Sequence, residues 1–146
     1  MKSAILYYTL GGSTKKEAER LSRELNAPVH RVFEKHKRGL VRAFIPGCPQ
    51  AMKRKAVKIK PLGVDLNEYD RIVIGAPVWA GFPAPAFNSM VGLLPPGKEV
   101  ELFFCKAGDD PLADEAGTVE LIKKRGCTVV DVRLVTTGEK PAKMKE

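Results

Sequence analysis

The chain of 146 residues has little of what metal centres and disulfide frameworks require. It contains three cysteines and two histidines. The cysteines are odd in number, lie far apart and never form a C-x-x-C pair, which argues against both a disulfide framework and a zinc site. Two histidines are too few for a histidine-rich metal centre. We therefore expect no bound metal, and unpaired cysteines of this kind fit a reducing cytoplasm.

Other absences exclude further classes of protein. No apolar run reaches the roughly 18 residues that a membrane-spanning helix needs, and no signal-peptide pattern precedes the first strand-like segment. The sequence also lacks internal repeats, low-complexity tracts, a Ser–His–Asp constellation and a paired-carboxylate motif. We expect a cytoplasmic protein with no membrane partner and no side chain acting as a catalytic acid, base or nucleophile.

What is present is typical of one globular domain. Hydrophobic residues make up 44% of the chain and charged residues 29%, and a chain of this length can bury a sizeable core. We predict a single domain over residues 1–138. A polar tail over residues 139–146 follows it, where Pro141 disfavours a long helix.

Short apolar runs alternate with helical patterns along the chain. The runs predict strands at 4–8, 29–33, 71–75, 99–105 and 127–135, and the patterns predict helices at 13–25, 40–45, 51–58, 87–94 and 111–125. Strands alternating with helices indicate an α/β fold with a parallel sheet covered on both faces. Such sheets bind ligands beyond the carboxyl ends of their strands. Three rich loops fall at those ends: 9–14, 76–85 and 106–111.

The first of these loops has the composition of a phosphate site. Hydroxyl side chains and two glycines stand between a strand and a helix, where unpaired backbone N–H groups and the helix dipole favour an anion. Glycine lets the backbone approach a ligand closely. A second interpretation stays open, in which Ser13 caps the helix and the glycines shape a turn.

Together the three loops resemble those of flavodoxins and related flavodoxin-like FMN-binding proteins, over nearly the whole chain. Thr9, Gly12, Ser13 and Thr14 match the loop that wraps the FMN phosphate in that family, whereas Gly11 departs from its usual Thr or Ser. Residues 69–81 look like the family's YD-x-I-x-I-G-x-P-x-W segment. Residues 104–110 fall where the family holds the flavin pyrimidine edge with backbone groups.

The resemblance implies a doubly wound, five-stranded parallel sheet in a three-layer αβα sandwich, with FMN as cofactor. It also implies that Trp79 stacks on the flavin ring; the alternative is a core or interface tryptophan. The sequence departs from many flavodoxins in its third loop, which offers no aromatic side chain to cover the second face of the flavin ring. The implied FMN-binding residues are Thr9, Leu10, Gly11, Gly12, Ser13, Thr14, Pro77, Val78, Trp79, Ala80, Gly81, Phe82, Cys105, Lys106, Ala107 and Gly108.

Lys106 is unusual at its position in the third loop. If its ammonium lies near the flavin, it stabilises negative charge on the reduced ring and makes the second reduction potential less negative than in flavodoxins with acidic loops. The alternative is that Lys106 faces solvent and balances the acidic residues that follow it.

Residues 31–60 account for all of the chain's net positive charge. They hold ten Lys or Arg residues and one Glu, a net charge of +9 against +8 for the whole chain. Three interpretations compete: a solvated helix face, a docking face for an acidic redox protein or the phosphates of NAD(P)H, and nucleic-acid binding. The last is disfavoured because no motif or interleaved aromatic accompanies the charge. Flavodoxins of the usual kind are acidic, so we expect a different partner here.

The resemblance implies an FMN-dependent electron carrier that shuttles electrons between redox partners. One alternative is an NAD(P)H-dependent quinone or flavin reductase, and another is a flavodoxin-like interaction domain without flavin. The helix that ends the family's fold is expected to be short or absent here. An uncovered apolar sheet face would then favour a homodimer.

Overall fold

The centre of the molecule is a parallel sheet. This computed structural model describes residues 1–108 and 111–137, and the backbone alone at Leu40 and Phe44. Within that part, the sheet order is β2-β1-β3-β5-β6, and every one of these neighbours is parallel. The predicted doubly wound α/β fold is confirmed. The strands are β1 (Ser3–Tyr7), β2 (Val29–Arg31), β3 (Arg71–Trp79), β4 (Phe82–Pro83, antiparallel to β3), β5 (Glu99–Lys106) and β6 (Thr128–Thr136).

Helices cover the two faces because buried apolar side chains alternate along the strands. Ile5 and Val73 face one side, where they pack with Leu21. Leu6 and Ile74 face the other side, in a larger core. The helices are α1 (Ser13–Leu25), α2 (Leu40–Phe44), α3 (Gly47–Met52), α4 (Pro85–Val91) and α5 (Glu115–Lys124), with a short 3-10 helix at Leu66–Glu68.

Several helix boundaries differ from the prediction for local reasons. The helix expected at 51–58 lies at Gly47–Met52 and ends before Arg54, whose left-handed φ of 53° terminates the turn. The helix expected to begin at Pro111 begins at Glu115, because the Asp114 carboxylate caps it by accepting from the Gly117 N–H at 3.1 Å. Gly126, with φ of 79°, follows the end of α5 as predicted.

Strand β3 runs further than predicted. The sequence indicates an end at Gly75, but the strand continues to Trp79. Gly75 is an interior strand position on which the Phe103 ring lies, since a Cβ built there would fall 2.0 Å from a Phe103 ring atom. Glycine is required at this position because a side chain would clash with the Phe103 ring of the neighbouring strand.

The apolar residues at 40, 41, 44 and 45 indicate a helix packed on the sheet, and this prediction is wrong for two of them. Val41 is 78% exposed and Ile45 75% exposed. The small Ala43 is the buried side chain of that turn. A short helix can place a small residue inward and larger ones outward when it lies against another element through its backbone.

The sheet face beside α1 carries ion pairs near β6. Arg71 bonds Glu99 at 2.6 Å, and Arg133 bonds Glu17 at 3.2 Å. Among the described residues, this part of the face is therefore charged, whereas the expected homodimer assumed an apolar one. The homodimer stays a prediction.

The polar tail predicted at 139–146, where the C-terminal helix is expected to be short or absent, falls outside the described residues. Within the described part of the chain, no helix combines the length and the apolar character needed to cross a membrane.

Candidate functional site

A cavity of about 370 Å³ opens at the carboxyl ends of β1, β3 and β5. In the strand order, β2 lies on one side of β1 whereas β3, β5 and β6 follow on the other, so the boundary between β1 and β3 is a switch point, where ligands of open α/β sheets bind. The cavity is lined by residues of all three predicted loops: Thr9, Leu10, Gly11, Ser13, Thr14, Pro77, Val78, Trp79, Ala80, Gly81, Cys105, Lys106, Ala107 and Gly108.

The first loop connects β1 to α1 and is fixed at both ends. The Tyr8 N–H donates to the Gly75 carbonyl at 3.0 Å, which ties the loop to β3. The Gly12 N–H donates to the Thr9 hydroxyl oxygen at 2.9 Å. Gly12, with φ of 102°, occupies the cap position of α1 and makes no side-chain cap hydrogen bond. The interpretation in which Ser13 caps the helix is therefore wrong, because Ser13 is its first residue.

The second loop is a tight hairpin. Ala80 and Gly81 join β3 to β4, with φ of 53° and 85°, as two-residue turns with a right-handed strand twist require. The Gly81 carbonyl accepts from the Ala113 N–H at 2.8 Å, so the segment before α5 holds the hairpin in place. Pro77 and Val78 are half-buried in the cavity wall.

Trp79 forms part of the wall and is 4% exposed. Its ring meets Tyr8 edge-on, with centroids 6.0 Å apart, and the Arg38 guanidinium lies 5.3 Å from its centroid. Most of its surface is thus packed against protein. Its indole N–H is buried, with no hydrogen-bond partner among the described residues. Stacking of Trp79 on a flavin stays a prediction.

Tyr8 and Arg38, which contact the Trp79 ring, belong to a buried polar network. Arg38 donates to both Glu34 carboxylate oxygens, the shortest bond being 2.7 Å, and the two side chains are 8% and 6% exposed. Arg38 also donates to the Gln50 side chain at 3.0 Å. The Tyr8 hydroxyl donates to Glu34. Burial, followed by this hydrogen bond, raises the pKa of Tyr8 above its ordinary value near 10, so the phenol stays protonated.

The third loop follows β5. Cys105 is buried and Lys106 half-buried, and both line the cavity with Ala107 and Gly108. The Lys106 carbonyl accepts from the Thr137 N–H at 3.0 Å. The effect of Lys106 on a reduction potential stays a prediction.

Two predicted residues lie away from the cavity lining. Gly12 shapes the first loop through its left-handed φ. Phe82 instead lies under the Arg54 guanidinium, 5.2 Å from it, and Arg54 in turn bonds Thr118 at 2.9 Å and Asp114 at 3.3 Å. Phe82 therefore belongs to the packing between β4 and α5.

Sequence reasoning missed four lining residues, Ala43, Cys48, Pro111 and Thr137. Ala43 and Cys48 reach the cavity because α2 and α3 fold against its wall, a tertiary arrangement without a local signal. Burial raises the pKa of the Cys48 thiol, although nearby Arg38 opposes this, so the thiol is protonated at neutral pH. Pro111 and Thr137 directly adjoin predicted elements and could have been found by extending them.

No protein-family model matches the sequence, and a search of curated proteins finds no significant match. Solved structures do match. A flavoprotein from Lactobacillus acidophilus NCFM, crystallised in complex with FMN, is 28% identical with a TM-score of 0.77, over 91% of this chain and 92% of its own.

The apo-form of the Lactobacillus acidophilus flavoprotein, solved by NMR, is 29% identical with a TM-score of 0.71, over 93% of both chains. Oxidised flavodoxin 1 from Bacillus cereus is 18% identical with a TM-score of 0.51, over 99% of this chain and 92% of its own. The fold is flavodoxin-like, and the resemblance found in the sequence is confirmed at the level of structure.

Proposed function

We propose that this protein binds one FMN non-covalently and carries electrons between redox partners. The observation that supports the proposal is the convergence of three separate loops, each matching a flavodoxin-like motif, on one cavity at the switch point of the sheet. A protein of the same fold over nearly its whole length was crystallised with FMN.

The residues present fit FMN at the phosphate end. Hydroxyl side chains of Thr9, Ser13 and Thr14 line the cavity where α1 begins. Neither Asp nor Glu is among the described lining residues, so nothing on the described wall repels an anion. The N-terminus of a 13-residue helix adds its dipole and backbone N–H groups.

The rest of the wall fits a flat apolar ring. Pro77, Val78 and Trp79 supply apolar surface, and the small residues at 107–108 allow close backbone approach. The cavity volume of about 370 Å³ falls within the range of small-molecule sites. Bound FMN would supply an isoalloxazine ring that accepts and returns electrons, while the chain binds it, orients it and excludes water.

A second candidate is an NAD(P)H-dependent quinone or flavin reductase. It is favoured by the third loop, where Lys106, Ala107 and Gly108 line the cavity without an aromatic side chain. An open ring face would admit a hydride donor or a quinone. A flavin-free interaction domain is the third candidate, and the missing hydroxyl at Gly11 is what favours it.

Turnover with NADPH and a quinone distinguishes the first two candidates, because reduced FMN delivers two electrons in either of them. The FMN complex would be reduced without oxygen, freed of reductant and mixed with excess oxidised cytochrome c, a one-electron acceptor. A carrier reduces two cytochromes per FMN and then stops, and NADPH with a quinone gives no sustained turnover. Sustained NADPH oxidation dependent on the quinone would identify a reductase and contradict the carrier proposal.

A further inference from the structure

Val41 of helix α2 and Ile45, which directly follows that helix, carry large exposed apolar side chains. Val41 and Ile45, four residues apart, share one side of the helical turn, and the Ile45 N–H donates to the Val41 carbonyl at 3.0 Å. Their side chains are 78% and 75% exposed, whereas Ala43 between them is 3% exposed. Two large exposed side chains at one short helix are a costly arrangement for a face that meets only water.

A cationic recess of about 240 Å³ adjoins this helix. It is lined by Glu34, His36, Arg38, Arg42, Pro46, Gln50, Val57 and Lys58, and Arg42 and Pro46 directly follow Val41 and Ile45 in the chain. In the described chain Arg42 and Lys58 have no salt bridge. By contrast, Arg38 at the same recess is already paired with Glu34. We call Val41, Ile45 and the recess the α2 surface.

The α2 surface lies close to the candidate FMN cavity. Arg38 connects the recess with the cavity wall. Its side chain lines the recess, and its guanidinium lies 5.3 Å from the ring centroid of Trp79, which forms part of the cavity wall. Ala43 and Cys48 line the cavity from the same helical segment. One layer of side chains therefore separates a molecule seated on this surface from the wall of the cavity.

Charge pairing within the fold leaves this region strongly basic. Of the ten cationic residues at 31–60, Arg38 and Arg54 are held by salt bridges. The other eight have no salt bridge within the described residues. At the recess, an acidic surface would thus meet Arg42 and Lys58 beside two exposed apolar side chains, a combination of charge and apolar contact that protein interfaces use for fast association and a packed core.

We infer that the α2 surface is the docking site for an acidic redox protein, which packs an apolar side chain against Val41 and Ile45 and places a carboxylate in the recess. The inference rests on the proposed electron-carrier function and names its partner class. A protein is favoured over nucleic acid because two exposed apolar side chains adjoin the positive charge, and an apolar centre with a polar rim is typical of protein interfaces.

The test uses an acidic plant-type [2Fe–2S] ferredoxin as the probe and the ¹⁵N-labelled, FMN-loaded protein. Amide signals of residues 41–45 should shift on titration, and the ferredoxin affinity should fall at least about tenfold between about 20 and about 200 mM NaCl. The double variant Arg42→Glu/Lys58→Glu should weaken binding by about tenfold or more. Lys123→Glu/Lys124→Glu, an equal charge change on α5, should change it much less.

The apolar part is tested separately. Val41→Ser/Ile45→Ser should weaken ferredoxin binding, whereas Val130→Ser, at a side chain 43% exposed on β6, should not. FMN affinity is measured for every variant, so a lost cofactor site is distinguished from a lost docking site. No ferredoxin binding, shifts confined to other elements, or equal effects of the α5 and recess variants would overturn the inference. Tighter recess-dependent binding to phosphatidylglycerol vesicles than to ferredoxin would overturn it too.

Discussion

At the scale of single residues, Arg38 contacts several of the side chains that surround the candidate site. Its guanidinium bonds Glu34, Gln50 and the Arg42 carbonyl and lies over the Trp79 ring. A guanidinium offers five donors in a fixed plane, so it can fix several partners at once. The orientation of Trp79 in the cavity wall therefore depends on a side chain that does not itself line that cavity.

Removing Glu34 tests how much the buried Arg38–Glu34 pair contributes to the stability of the fold. Glu34→Ala leaves the Arg38 guanidinium buried without its counter-ion, so we expect the free energy of unfolding to fall by about 3–5 kcal/mol. Urea unfolding of the FMN-free protein measures it. The double variant Glu34→Ala/Arg38→Met removes both charges and should recover part of the loss. A single variant within about 1 kcal/mol of wild type would show that the pair does not stabilise the fold.

Gly11 offers a second residue-scale prediction. A Cβ at this position meets no atom within 4 Å and the backbone φ is not positive, so there is room for the Cβ of Gly11→Thr, which supplies the hydroxyl that the flavodoxin-like motif has there. One hydrogen bond to a charged phosphate is worth about 1 kcal/mol or somewhat more, so FMN should bind at least about fivefold tighter. Riboflavin, which lacks the phosphate, is the control ligand. Equal tightening of both ligands would mean that Gly11 does not face the phosphate.

At the scale of elements, the β3–β4 hairpin holds a strained residue in the cavity wall. Ala80 has φ of 53°, a left-handed conformation that is unfavourable for residues with a Cβ. Ala80→Gly should raise the free energy of unfolding by about 0.5–1 kcal/mol, measured by urea unfolding. Ala56→Gly, at an exposed position without positive φ, should instead lower it. A destabilising Ala80→Gly change would contradict strain at the turn.

Glu17 connects helix α1 to strand β6. Hydrogen bonds from Arg20, at 2.7 and 2.8 Å, are the main reason that the pKa of Glu17 lies below its ordinary value of 4.5, and Arg133 of β6 adds to the effect. A carboxyl whose pKa is lowered by folding stabilises the fold above its unfolded-state pKa and loses that contribution as pH falls through the folded-state value.

We therefore expect the difference in unfolding free energy between wild type and Glu17→Gln to be constant near neutral pH and to shrink below about pH 4.5. Because Arg20 is the larger cause, the decline should persist in an Arg133→Ala background with smaller amplitude. A difference that does not change between about pH 7 and about pH 3 would contradict the assigned cause.

At the scale of the whole molecule, hydrophobic pattern was sufficient for the sheet. Strands β1, β3 and β5 each contain a run of buried apolar residues, at 4–7, 72–76 and 102–105, and such runs indicate a buried strand without knowledge of its neighbours. Their order then places the three loops at one edge, which is why 14 of the lining residues were predictable. The end of β3 could not be predicted, because a glycine such as Gly75 locally indicates a strand end. In the structure the strand continues through Gly75, and the Phe103 ring packs on that residue.

The basic segment shows what sequence could not provide. Its charges are uniform in the sequence, yet Arg38 and Arg54 are fixed by Glu34 and Asp114, and only tertiary structure tells them from their solvated neighbours. The outward direction of Val41 and Ile45 was likewise hidden, because a helical apolar pattern normally indicates an inward face. These are the places where long-range packing overrides local pattern.

The central claim is that the cavity binds FMN, and titration of the purified FMN-free protein with FMN tests it most directly. Flavin fluorescence and the emission of Trp79, the chain's only tryptophan, would be followed together. We predict saturable one-to-one binding in which both signals are quenched, because the ring enters a wall that contains Trp79. Absence of binding by FMN, with riboflavin and FAD equally inert, would contradict the account.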